Sequence, residues 1–189
     1  MSRISIPTVE SAPSASAPLL AAVKQQLGSV PNLMKLLAVS PAALEGYLSL
    51  SGALGKGALD AGIRERIALA VAQHNGCDYC LAAHSYLGKH VAKLADAEID
   101  AARGGASSDP RADAATRFAL SVARNRGNVD GAELAAVRAA GFGDDAILEI
   151  VRTNDLPLTW TAAPGTGRGM LILGLSNRGS SNASAWFAC

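Results

Sequence analysis

The stretch Glu65-Arg-Ile-Ala-Leu-Ala-Val-Ala-Gln-His-Asn-Gly-Cys77-Asp-Tyr-Cys80-Leu-Ala-Ala-His84 decides how this chain is read. Ile63, Ile67, Val71 and His74 recur at spacings of three and four, which predicts a helix capped by Asp60 and stopped at Asn75-Gly76. A second helix starts at Cys77 or Asp78 and runs to about Lys89. At about 100° per residue, Cys77, Cys80 and His84 fall within a stripe roughly 60° wide on that helix. Leu81, Leu87 and Val91 lie near the stripe, so the thiols are expected to face a partly apolar, sheltered pocket.

A cysteine in the first turn of a helix meets unpaired backbone N–H groups and the positive end of the helix dipole, both of which favour thiolate. Cys77 has that place, and Cys80 has His84 four residues on, within reach of proton exchange. Helical residues three apart have Cα atoms about 5 Å from each other, a separation that also suits a disulfide. Other readings of the same residues stay open. A bridge over two intervening residues is a weak structural staple, because it closes so short a loop. His74, Cys77, Cys80 and His84 offer a zinc-ligand set, although three of them share one narrow stripe and no second Cys-x-x-Cys is present. His74 alone reads as a core or interface histidine. Glu65, between Arg64 and Arg66, reads equally as a solvated ion pair or as part of the site.

The surrounding chain is consistent with helices. Its 189 residues suffice for one domain, and 49% hydrophobic but only 4% aromatic residues leave Ala, Leu, Val and Ile to fill the interior. The formal charge of +1 is spread without a basic block, which argues against a nucleic-acid partner. No apolar run approaches the roughly 20 residues of a membrane span, and the Ser- and Pro-rich start lacks the pattern of a secretory signal. A cytoplasmic location is expected. Three cysteines, two of them close together, read as a redox or metal pair plus an isolated Cys189.

Residues 1–18, with Pro7, Pro13 and Pro18, read as a flexible arm, and residues 19–151 as one all-α domain of about eight helices. Gly52, Gly55 and Gly57 read as a flexible link inside it. Residues 152–189 change texture: Pro157, Pro164 and many Gly, Ser, Thr and Asn break any period, so weak order is expected. Gly165, Gly167 and Gly169 read as loop glycines and not as a nucleotide-binding turn, and the acceptor pattern Asn182-Ala183-Ser184 has no consequence without secretion. So abrupt a change after Val151 is what a frameshifted 3′ end would produce, an idea that the encoding DNA settles.

A Glu twelve residues before Cys-x-x-Cys-x-x-x-His, with Asn-Gly ahead of the first Cys, resembles the AhpD-like alkylhydroperoxidase branch of the carboxymuconolactone decarboxylase family, over about Val30 to Val151. The resemblance implies an all-helical bundle with Cys-x-x-Cys at the N-terminal end of a central helix, assembled as a trimer or hexamer. It implies that Cys80 is the peroxidatic sulfur, Cys77 its resolving partner and proton donor, and His84 and Glu65 the proton relay. It further implies a hydroperoxide substrate, a thioredoxin-like or lipoyl-protein reductant, and no metal or flavin cofactor. Two departures stand out: Tyr79 takes the place of a histidine found before the second Cys, and the residues after Val151 do not resemble the closing helix of relatives. A dithiol–disulfide relay acting on a protein client is the alternative activity, and a zinc-stabilised helical module the alternative class.

Overall fold

The structure, a computed structural model, describes residues 4–158, with backbone alone over 154–158. Among these residues every regular element is helical: a 3-10 turn at Ser14–Ser16, then α1 (Ala17–Leu27), α2 (Asn32–Leu37), α3 (Pro41–Leu54), α4 (Ala61–His74), α5 (Asp78–His90), α6 (Asp96–Arg103), α7 (Pro110–Arg124), α8 (Gly131–Ala139) and α9 (Asp144–Leu158). The all-α expectation holds. Two compact units meet in sequence at Ala53 and Leu54, where one domain was expected.

In the first unit, Leu20, Val23, Met34, Ala38 and Leu44 form a small core, with Val9 and Ala12 packed against it. The arm expected over residues 1–18 is here built into that core from Thr8 onward. Thr8 and Ser11 bond each other's backbone and hydroxyl groups, and the fully buried Ser16 donates to the Ala38 carbonyl at 2.8 Å. These local bonds and two apolar contacts offset the ordering entropy that composition alone left uncompensated. Gly52 belongs to α3 and not to the link after it, since the 3.6-residue pattern carries a helix through an isolated glycine.

The second unit is organised around α4. Ile63, Ile67, Ala68, Leu69, Ala70, Val71 and Ala72 are all buried, so this helix is apolar on nearly every side and sits inside a ring of α5, α6, α7 and α9. Its alanines let neighbouring backbones come close. Phe118, Val122, Val137, Phe142, Ile147 and Ile150 complete the main core against Ile63, Ile67 and Val71. Asp60 caps α4 by accepting from the Ile63 N–H at 2.9 Å. The link before it is held by Glu149 of α9, which accepts from the N–H groups of Ala58 and Leu59 at 2.9 and 3.1 Å. Helix α9 continues seven residues beyond Val151, where the weakly ordered tail was expected to begin. The loop glycines at 165, 167 and 169, the acceptor pattern at 182–184, Cys189 and the frameshift reading lie outside the described residues.

Candidate active site

The junction of α4 and α5 is built from caps. Gly76 takes the left-handed conformation (φ 63°), and two reversed bonds close the end of α4: Cys77 N–H to the Ala72 carbonyl at 3.0 Å and Gly76 N–H to the Gln73 carbonyl at 3.2 Å. This is the Schellman arrangement, with Asn75 as C-cap. Its usual apolar contact is made here by Cys77 against Ala72. The same Cys77 is the N-cap of α5, where its Sγ accepts from the Cys80 N–H at 3.2 Å. One cysteine thus ends one helix and begins the next, and its sulfur is fixed from both sides.

Cys77 and Cys80 are joined as a disulfide, with Cα atoms 5.3 Å apart. Both are buried, Cys77 at 2% and Cys80 at 8% exposure, in a cluster with Ala72 against which Tyr79 and Leu81 pack. Of the residues expected to shelter the sulfurs, Leu81 does so and Leu87 is half-buried, whereas Val91 stands exposed past the end of α5. Their cysteine stripe is covered only over its first turn.

Glu65 and His84 come together across the α4–α5 contact, Oε2 to Nδ1 at 2.8 Å, with the side chains 19% and 28% exposed. The ion pair suspected between Glu65 and its neighbours is absent among the described residues. Arg64 instead donates to the carbonyls of Leu54 and Leu59. Arg66 turns to Glu98 of α6, which it meets through Nε and Nη2 at 3.0 and 2.8 Å. Ser107 Oγ and Ser108 N–H complete the ring around Glu98 at 2.7 and 3.0 Å, and the bonds from Ser108, Ser107 and Arg66 hold its carboxyl at about 2. Residues 65 and 66 therefore fasten α4 to α5 and to α6 respectively.

His74 is exposed in the last turn of α4, contrary to a place in the core. Partial desolvation of its ring, and then the Arg124 guanidinium, hold it below the usual imidazole value. Among the described residues no three His, Cys, Asp or Glu side chains are grouped to hold a metal ion. One site feature escaped the sequence reading, which took Asn75 only as a helix stop. Its Nδ2 is buried without a hydrogen-bond partner among the described residues, two positions ahead of Cys77. Asn-Gly before a cysteine was the available signal.

A buried dithiol–disulfide pair at a helix start, with a carboxylate–imidazole pair rooted in the same two helices, defines an all-helical protein of the AhpD-like fold. Residues 41–125 match the model of the carboxymuconolactone decarboxylase family, and the chain belongs to that family, in its AhpD-like branch. Solved structures agree. The chain is similar to an alkylhydroperoxidase AhpD core, an uncharacterized peroxidase-related protein of Ralstonia eutropha JMP134, at 28% identity over 82% of this chain and 84% of that one, with a TM-score of 0.73. An uncharacterized peroxidase-related protein of Silicibacter sp. TM1040 matches at 24% identity over 84% and 85%, TM-score 0.73. The debrominase Bmp8, solved with 2,3,4-tribromopyrrole, shares the fold at 18% identity over 82% and 86%, TM-score 0.68. No curated protein matches the chain by sequence.

Proposed function

We propose that this protein is a thiol peroxidase with an antioxidant role, reducing hydroperoxides through Cys80 and Cys77. The observation that carries this reading is the Cys77–Cys80 pair at the start of α5, with Glu65 bonded to His84 one turn from Cys80. The Cys80 thiolate attacks the terminal peroxide oxygen. The O–O bond breaks, the leaving alkoxide or hydroxide takes a proton to become alcohol or water, and Cys80 becomes a sulfenic acid. Glu65 accepts from Nδ1–H of His84, which leaves Nε2 to exchange the proton. The Cys77 thiolate then attacks the Cys80 sulfur. An S–S bond forms, the S–O bond breaks, and the hydroxyl departs as water after protonation.

Because the disulfide spans one helical turn, oxidation asks for no unfolding of α5. An external dithiol, thioredoxin-like or lipoyl-bearing, returns two electrons by thiol exchange. The named relatives that are peroxidase-related support this assignment of chemistry. No helix among the described residues is long and apolar enough to cross a membrane, which is compatible with a cytoplasmic enzyme, here read as a homo-oligomer.

Peroxide consumption driven by a dithiol tests the reading on wild type, Cys80→Ser, Cys77→Ser and His84→Ala. The expected order is full activity, none, one turnover at most without exchange, and a large loss. Undiminished turnover in Cys80→Ser would remove the assignment. Dithiol oxidation of a protein client without peroxide turnover would favour the relay instead.

A further inference from the structure

The two sulfurs of the disulfide are not equivalent, and the difference bears on how it is reopened. Cys77 Sγ is the N-cap acceptor of α5 and already receives the Cys80 N–H at 3.2 Å. Negative charge released on this sulfur meets a donor in place and the positive end of a 13-residue helix. Cys80 lies inside the first turn, and its own N–H is spent on Cys77. Access runs the same way: Cys77 is 2% exposed and is wedged against Ala72 by the Schellman turn, while Cys80 is 8% exposed. His84 stands four residues along α5 from Cys80, with Glu65 holding its Nδ1. It is thus placed on the Cys80 side to take the proton of an arriving thiol.

We infer that the disulfide is polarised for reduction, with the reductant's thiolate bonding to Cys80 and Cys77 leaving as the thiolate. This inference rests on the peroxidase cycle above, whose reductive half it specifies. Exchange is fastest at the more accessible sulfur when the departing thiolate is the better stabilised one, and both conditions select the same direction here. The electron pair of the Cys77–Cys80 bond goes to Cys77 Sγ as a new bond forms between the reductant and Cys80. The reductant's second thiol, as thiolate, then attacks its own bridged sulfur and frees Cys80 as thiolate. The reductant leaves as a disulfide, oxidised by two electrons, and the two protons of its thiols reach the enzyme sulfurs or solvent.

The test uses the full-length oxidised protein and a monothiol that cannot complete the second exchange. The protein is mixed with glutathione, quenched after short intervals with excess iodoacetamide, and cut after Tyr79 so that the two cysteines fall on separate peptides. Glutathione on Cys80 with alkylated Cys77, in about tenfold excess over the opposite pattern, is expected. Glutathione mainly on Cys77, or divided evenly, would overturn the inference. A Cys80 adduct in a protein that consumes no peroxide would refute the proposed function while leaving this polarity intact.

Discussion

Glu65 Oε2 and His84 Nδ1 lie 2.8 Å apart although nineteen positions separate them in sequence. The contact exists because α4 and α5 fold back on each other through the three-residue turn Asn75–Gly76–Cys77, so that the turn that sets the sulfur also sets the pair. Glu65→Gln keeps the size and a hydrogen bond but removes the charge that supports a proton on the imidazole. Both Glu65→Gln and His84→Ala should lower kcat/KM for peroxide by about 10²–10⁴-fold, the usual range for a general acid–base group, with circular dichroism unchanged. Wild-type rates in both would remove the pair from the mechanism.

Gly76 holds φ at 63° with open space around it, so a side chain there meets backbone strain and not a clash. Gly76→Ala should cost about 1–2 kcal/mol in a urea titration, and Gly76→Asn less, because asparagine tolerates the left-handed region. The same Ala variant should slow peroxide turnover, since Cys77 loses its fixed place at the start of α5.

Ile67 is fully buried at the centre of α4 among Ala115, Phe118 and Ile150. Ile67→Ala should destabilise by about 2–5 kcal/mol, through lost burial and the cavity left behind. A fall of several degrees in the unfolding midpoint is the expected reading. No fall would mean that α4 is not the centre of the second unit's core.

Glu98 makes stability depend on acid. Its folded carboxyl lies at about 2, below the ordinary 4.5, because Ser108, Ser107 and Arg66 bond the ionised form. A carboxyl depressed on folding contributes fully above its unfolded value and loses that contribution as pH falls from about 4.5 toward about 2. Glu98→Gln should therefore be clearly less stable than wild type at pH 6, with the gap shrinking through that window. Denaturant midpoints at pH 6, 4 and 2.5 check this, and a gap independent of pH would contradict it.

What could be read locally in the sequence was read well. The α4 and α5 periods, the Asp60 cap and the stop at Asn75-Gly76 are nearest-neighbour features, and they stand in the structure as expected. Departures come from contacts made at a distance. Ser16 reaches Ala38, twenty-two positions on, and converts an expected loose arm into packed chain. Glu149 reaches back ninety positions to the link at Ala58 and Leu59, which local composition presents as unconstrained. Arg66 gave no hint of Glu98, and so the choice between an ion pair and a site role for Glu65 stayed even until a fold supplied both partners. The separate roles of Cys80 and Cys77 came from family resemblance, because spacing treats the two sulfurs alike.

The most direct measurement is a single oxidation of the reduced protein. One equivalent of an alkyl hydroperoxide is added, the remaining thiols are alkylated, and the peptides that carry Cys77 and Cys80 are weighed. The account predicts loss of both thiols, a mass 2 Da lower from a Cys77–Cys80 bridge, and a sulfenic acid on Cys80 in the Cys77→Ser protein. Both cysteines recovered fully alkylated, with the peroxide unconsumed, would contradict it.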